Sequence, residues 1–397
     1  MEEKPENEEE KGAIHNIPWA FLGDILSRLD AKSLKRCECV SKSWLSLIRN
    51  WDFIHLHLKR QLPCVVFLQK KVRRFNYTLS TCNWENFAEI SSQKFPKFKR
   101  RRPPLLLFMG SDNGILGLYD LRNKKVYLWN PTIKVSKTLS FSPHSELNHS
   151  VLGLGYDPFT TDFKVVMVSC PVEKGVIGTH NLFKAGNQVG IYSLRSNSWK
   201  TMAMPDIFSD FEPYTSDIII YTSLSCSIVV NEAIHWKICY RNSLYHDQLS
   251  LGIVAFGLRM ENFKLIKSPQ IVEGSHVKKL ANFSGCLSFF TFDEVQVVEV
   301  WVMKKYGDSE SWFKYLSVNL LSLLPNWVGR HPICTPVSFL SNGILVISCI
   351  ETGYWCWYDT KSKRLENMCR RFGVSDFTTY VESIFLSEKG ENFVACD

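Results

Sequence analysis

The feature that most narrows the fold is a loose repeat of strand-like segments that begins at Leu62 and runs to the end of the chain. GILGLYD (residues 114–120) and VYLWNP (126–131) read as two strands across a turn, with Trp129 near the close. LGLGYDP (152–158), FKVVMVS (163–169) and VGIYSLRSNSW (189–199) repeat the unit and finish on Trp199. SIVVNEAIHW (227–236) with LGIVAFGLRMENFKLI (251–266), GCLSFFTF (285–292) with VEVWVMKKYGDSESWFKYLSV (298–318), and GILVISC (343–349) with YWCWYDTKSKRLENM (354–368) continue it. β-branched and aromatic runs separated by Gly, Asn, Asp, Ser and Pro are the pattern of successive antiparallel strands. Their spacing, about forty to fifty residues, is that of a four-stranded propeller blade. CVVFLQ (64–69) and FNYTL (75–79) begin one more blade, and YVESIFL (380–386) is the expected return strand that closes the ring and removes its edges. The expectation is a six-bladed β-propeller over residues 61–397. A two-sheet β-sandwich is the alternative, because repeats this degenerate do not impose closure.

Residues 15–60 have another texture. Leu22, Ile25, Leu26 and Leu29 recur at three- and four-residue steps, and Pro18 suits a first helical turn. Asp30 is placed to cap a second short helix carrying Leu34 and Cys37, Ser41 a third carrying Trp44, Leu45 and Ile48, and Asp52 a last turn with Phe53 and Leu56. Three or four helices in so few residues make a core that a partner commonly completes.

Composition excludes several classes. With 45% apolar and 13% aromatic residues the chain is no disordered polymer, and its 12 Trp suit a β-rich interior. A net charge of +8 at this length is modest and clustered, so nucleic-acid binding is not expected. The sharpest basic run is Lys97, Lys99, Arg100, Arg101 and Arg102; it reads first as a solvated loop and second as an import signal or an acidic-partner contact. Thirteen scattered cysteines without a C-x-x-C pair read as buried apolar side chains in a reducing compartment. Residues 1–14 form an acidic, disordered tail unlike a secretory signal, and no apolar run is long enough for a membrane span. The expected location is the cytoplasm, the nucleus or both. No H-E-x-x-H, G-x-S-x-G, phosphate-loop or dinucleotide-binding pattern occurs. His55 and His57 lack a further ligand at metal spacing and read as packing or surface residues. No catalytic, cofactor-binding or metal residues are therefore assigned.

The segment IPWAFLGDILSRLDAKSLKRCECVSKSWLSLI (17–48) resembles an F-box of the plant type. The matching elements are Ile17–Pro18, Ile25–Leu26, Leu29, Lys32–Ser33–Leu34, Arg36, Val40, Lys42, Trp44 and Leu47–Ile48. Where that family usually has an acidic pair after its first Pro, this chain has Trp19–Ala20, and its usual second Pro is Asp30. NGILGLYD, VYLWNPTIK, LGLGYDPFTTDFKVV, VGIYSLRSNSWKTM, VNEAIHWKICY, IVAFGLRMENFKLIKSP and YVESIFL are similar, in order, to the plant F-box-associated, kelch-like domain.

The resemblance implies a non-catalytic substrate adaptor of an SKP–cullin–F-box (SCF) ubiquitin ligase, which promotes ubiquitination and degradation of its target. The F-box would bind an SKP-family linker, reach a cullin and a RING subunit indirectly, and hold a target protein beside the charged enzyme. Residues expected at the linker interface are Ile17, Pro18, Ile25, Leu26, Leu29, Leu34, Val40, Trp44 and Leu47, with Pro18 and Leu34 foremost. About half of them would only hold the helices together. Candidate target-binding loops are Val172 to Gln188, Phe208 to Ser216, Tyr240 to Gln248 and Trp327 to Ile333. Pollen factors that recognise foreign ribonucleases share this layout, as do generic members of the family. Two other readings are an F-box scaffold without a ligase role and a propeller lectin or enzyme, the latter requiring a deep axial pocket with convergent carboxylates, His or Trp.

Overall fold

The computed structural model describes residues 19–71, 76–83, 88–94, 104–139, 149–170, 185–207, 226–241, 249–269, 277–292, 297–320, 334–339, 343–349, 353–371, 373–385 and 394–395. Four helices come first: α1 (Trp19–Leu26), α2 (Ala31–Cys37), α3 (Lys42–Ile48) and α4 (Trp51–Arg60). Asp30 caps α2 by accepting from the Ser33 N–H at 2.9 Å, and Ser41 caps α3 through the Trp44 N–H at 3.1 Å. The last helix departs from expectation. Its cap is Asn50, which accepts from the N–H groups of Asp52 and Phe53, so Asp52 lies inside the first turn, where its charge suits the helix dipole.

The rest is a six-bladed β-propeller. Blade 1 holds β1 (Pro63–Lys71), β2 (Asn76–Cys82) and β3 (Glu89–Lys94); blade 2 holds β4 (Leu106–Asp112), β5 (Ile115–Asp120), β6 (Lys125–Asn130) and β7 (Val135–Thr138). Blade 3 holds β8 (His149–Asp157), β9 (Asp162–Cys170), β10 (Gln188–Ser193) and β11 (Ser198–Ala203). Blade 4 holds β12 (Ile228–Val230), β13 (Ala233–Arg241), β14 (Leu249–Gly257) and β15 (Asn262–Lys267). Blade 5 holds β16 (Val277–Phe283), β17 (Cys286–Phe292), β18 (Val297–Met303) and β19 (Trp312–Asn319). Blade 6 holds β20 (Cys334–Phe339), β21 (Ile344–Cys349), β22 (Tyr354–Asp359) and β23 (Arg364–Arg370).

The ring closes when β24 (Val374–Val381) pairs antiparallel with β1, from Pro63 opposite Val381 to Gln69 opposite Val374. This strand corrects the expectation that YVESIFL would close the ring. Only Tyr380 and Val381 of that segment belong to the strand, while Ile384 and Phe385 leave it to pack beneath the helices. Of the segments read as opening a unit, GILGLYD is second from the axis, whereas LGLGYDP lies on the axial strand β8. Other axial strands face a channel and carry Asp112, Lys279, Asp376 and Thr378, so their polar residues hide them from a search for apolar runs.

Turn chemistry follows one rule around the ring. Asn113–Gly114, Asn231–Glu232 and Ser284–Gly285 put both central residues at positive φ, as a two-residue type I′ hairpin requires. Longer turns start at a strand-ending residue and return four residues later through one positive-φ residue. The starts are Asp120, Asn130, Asp157, Ser193, Gly257 and Asp359, and the returns are Lys124, Lys134, Thr161, Asn197, Glu261 and Lys363. Five of these starting side chains accept a backbone N–H from the loop they open, for example Asp157 from Phe159 at 3.0 Å and Asp359 from Lys361 at 2.8 Å.

First-to-second and third-to-fourth strand connections open on one face of the ring. Second-to-third and blade-to-blade connections open on the other. All three two-residue turns, and all the four-residue turns except that after Asp120, lie on the first face. The chain enters β1 at Pro63 and leaves β24 at Val381 on that same face, so the helices must sit there.

Candidate functional site

The helical cluster has a buried side and an exposed apolar side. Leu22, Leu26, Ala31, Leu34, Ile48, Phe53 and Ile54 form its core, with Leu29, Trp44 and Leu47 packed half-buried against it. Arg60 ties the end of α4 back to α1 through the Asp24 carboxylate at 2.6 Å. The buried His57 donates from Nε2 to the Leu29 carbonyl at 2.9 Å, and burial lowers its pKa. Both contacts hold the helices against one another. His57 is a packing residue.

Of the nine residues expected at the linker interface, Ile25 and Val40 are exposed, at 48% and 60%. Leu26 and Leu34 are buried, at 2% and 0%, and shape the surface from beneath. Leu29, Trp44 and Leu47 are intermediate, and Ile17 and Pro18 lie outside the described residues. One further residue joins the exposed set. Phe21, one helical turn before Ile25 on α1, is 64% exposed, and the i, i+4 spacing puts both on one face. That spacing was readable in the sequence, but Phe21 is not among the residues that match the plant F-box pattern. At one departure from that pattern, Asp30 replaces a helix-starting Pro with a helix-capping carboxylate, and α2 begins there all the same.

Through α4 the cluster is welded to the propeller. Trp51 at the start of α4 stacks near Tyr156 of β8, with ring centroids 6.3 Å apart and planes at 22°. It also meets Phe385 at 5.3 Å. His55 places Nε2 3.3 Å from the Tyr156 hydroxyl and its ring edge-on to Phe385. Tyr156, Phe163 and Phe385 complete an aromatic group, and the buried residues of helices and of blades 2 and 3 form one continuous apolar cluster. The helices thus complete their core on the propeller.

The face away from the helices carries the long connections. Cys170 to Gln188, Arg241 to Leu249, Ala203 to Ile228 and Asn319 to Cys334 all span strand ends that open there. These connections contain the four candidate target-binding loops, which lie wholly or largely outside the described residues. The run from Lys97 to Arg102 also lies outside them.

Between the axial strands is a cavity of about 320 Å3, lined from β4, the start of β12, β16 and β24. It is neither narrow and wholly apolar nor the convergent acid, His or Trp site that a lectin or enzyme reading requires. Its described lining carries the Lys279 ammonium and the Asp112 carboxyl among amides, hydroxyls and aliphatic side chains.

Comparison with known proteins agrees with this geometry. A family model described as an F-box domain matches residues 14–56, and one described as an F-box associated beta propeller domain matches residues 64–379. The F-box protein CPR1 of Arabidopsis thaliana is 26% identical over 392 residues, which cover 94% of this chain and 90% of that protein. The F-box/kelch-repeat protein At3g23880 of the same plant is 26% identical over 327 residues, covering 79% and 83%. Among solved structures, a chain of a nidogen/laminin complex aligns with a TM-score of 0.44 and 8% identity, covering 81% of this chain and 99% of that one. With helices that match the first model and a ring that matches the second, the chain belongs to the F-box proteins that carry an F-box associated beta propeller domain.

Proposed function

We propose that this protein is the substrate-recognition subunit of an SCF ubiquitin ligase. Its F-box docks an SKP-family linker through the exposed apolar side that includes Phe21, Ile25 and Val40. Its propeller holds a target protein with the loops on the far face, and the cullin and RING subunit follow through the linker. The chain contributes position, not bond chemistry: it raises the target's concentration near the charged enzyme. Such a ligase would work in the cytoplasm or nucleus.

One observation carries the reading. The exposed apolar side of the F-box and the long loops belong to opposite ends of one continuously packed body, so linker and target can bind together without competing.

The test is co-purification of the full chain with an SKP-family linker, wild type against F21S/I25S. Each exposed apolar side chain buried on docking is worth about 1.5–3 kcal/mol, so the double variant should bind about a hundredfold more weakly, or worse. Its melting temperature should hold, because neither side chain belongs to the core. Linker binding that is absent in the wild type, or unchanged in the double variant, sinks the proposal. Affinity capture with the cullin's activity blocked would then retain the target.

A further inference from the structure

The axial cavity contains a charge that the adaptor role does not use. Lys279, on the axial strand of blade 5, sits with Nζ 4.3 Å from the centre of the Phe377 ring. Among the described residues no carboxylate comes within ion-pair distance of it. The nearby acids are already engaged by backbone. Asp376 accepts from the Phe108 N–H at 2.6 Å and the Phe377 N–H at 2.8 Å; Asp112 accepts from the Tyr156 N–H at 2.7 Å and from the N–H of Asn113. Those N–H dipoles compensate the two carboxylates, whereas the ammonium of Lys279, a residue of the cavity wall, lies against an aromatic face. An aromatic face offers a cation only part of what an anion would.

The cavity's size and lining narrow what could enter. A volume of about 320 Å3 lies at the small end for ligand sites. The wall combines aliphatic side chains, such as Ile228 and Val229, with polar ones, such as Asn282 and Thr378. One cation beside two acids suits a single negative charge and opposes a dianion. We propose that the axial cavity binds a small organic monocarboxylate, its carboxylate on Lys279 and its body against the aliphatic wall.

The other ionisable groups around the ligand strengthen one readout. Burial pushes the Asp376 carboxyl up to about 6 and the Asp112 carboxyl up to about 7. Burial raises Cys226 to about 12 and lifts Tyr380 well above its ordinary value, so both stay neutral. Burial lowers the Lys279 pKa, and the Asp376 carboxylate opposes that shift. An arriving anion raises both aspartates again, so binding takes up protons and weakens as pH rises from 6 to 8.

The experiment is isothermal titration of the full chain with pyruvate, and separately with inorganic phosphate, at pH 6 and pH 8. The expected result is saturable one-to-one binding of pyruvate, tighter at pH 6, with proton uptake seen on changing the buffer's ionisation enthalpy. K279Q should weaken binding roughly tenfold or more at an unchanged melting temperature, and K279R should retain it. Absence of saturable pyruvate binding, binding that survives K279Q, or phosphate bound more tightly than pyruvate would each overturn the proposal. Linker binding by K279Q should match wild type, so this idea fails or stands apart from the ligase reading.

Discussion

Replacing Lys164 by Met tests how blades 3 and 4 are held together. The Lys164 side chain is 7% exposed, and its ammonium meets Asp157 at 3.2 Å, the Leu258 carbonyl at 2.6 Å and Glu261 at 3.0 Å. Asp157 is fully buried, so K164M strands a carboxylate in the interior. Breaking such a pair from one side costs about 3–5 kcal/mol. The lower figure applies here: Asp157 keeps the Phe159 N–H at 3.0 Å and the Thr160 hydroxyl at 2.7 Å, while the partly exposed Glu261 keeps Lys200. At about 2.1 cal/mol/K per residue over residues 64–379, a loss of about 3 kcal/mol lowers the melting temperature by about 4–5 °C. Burial pushes both carboxyls up, but hydrogen bonds from Thr160 and Lys164 on Asp157, and from Lys200 and Lys164 on Glu261, outweigh it and hold them below their ordinary values. Their contribution is therefore full above about pH 5 and fades as pH falls through the folded-state values, so the gap between wild type and K164M should narrow there. Calorimetry at pH 7 and pH 3.5 measures both. The double variant D157N/K164M should recover part of the loss. A K164M protein melting within about 1 °C of wild type at pH 7 would refute the argument that this lysine compensates buried charge.

Three further outcomes follow from the geometry. W51A removes the ring that packs on both Tyr156 and Phe385 and, since that ring is part-exposed, should cost about 1–2 kcal/mol, visible as faster amide exchange in α1 to α4 with the blades still protected. Equal exchange in helices and blades would contradict it. G114V should fail to accumulate as folded protein, because a Cβ there collides with the Ser383 side chain and φ is +78°; a melting curve close to wild type would count against the tight turn. Burial depresses the pKa of His235 to about 4, and the ring is hydrogen-bonded to Tyr306 at 2.9 Å. Stability present above pH 6.5 should thus fall by about 3 kcal/mol as pH drops to 4, a dependence that calorimetry should find missing in H235N.

How much of this was legible in sequence depended on which physical signal each element carries. Blade interiors announce themselves through Val, Ile and aromatic runs, as in FKVVMVS and LGIVAFG, because strands covered on both faces are apolar throughout. Several axial strands do not, although LGLGYDP on β8 does. Val374–Val381 reads VSDFTTYV and was passed over, since it borders a polar channel and must carry Asp376 and Thr378. The turns were more legible than their use suggested: Asp120, Asn130, Asp157 and Asp359 each stand four residues before a positive-φ residue, a rule that marks blade corners without any alignment. In the F-box, periodicity located the helices but not their accessible side. Leu34 and Ile25 look alike in a helical pattern, and only packing against Phe53 and its neighbours decides that one is core and the other surface. The Lys164 bridge joins residues from two blades, Asp157 and Glu261, and no local pattern signals it.

The weld between F-box and ring gives the adaptor its mechanical character. A cluster of four helices containing seven to ten residues each buries too little apolar surface to stand alone. It finds the missing area on the turn face of the propeller, where Tyr156, Phe163 and Phe385 pack edge-to-face into an aromatic group. The short turns are part of that solution, because two- and four-residue connections leave nothing projecting to keep α4 off the sheet ends. The same economy pushes length variation to the far side, where loops can change without disturbing either the weld or the closure at β1 and β24. If the ring carries a target there, the separation between target and linker is set by the height of the blades and not by a flexible tether. If the F-box in turn carries the ligase linker, such a frame would favour those target lysines that fall within reach of the charged enzyme, and the choice of modified lysine would be a property of the fold.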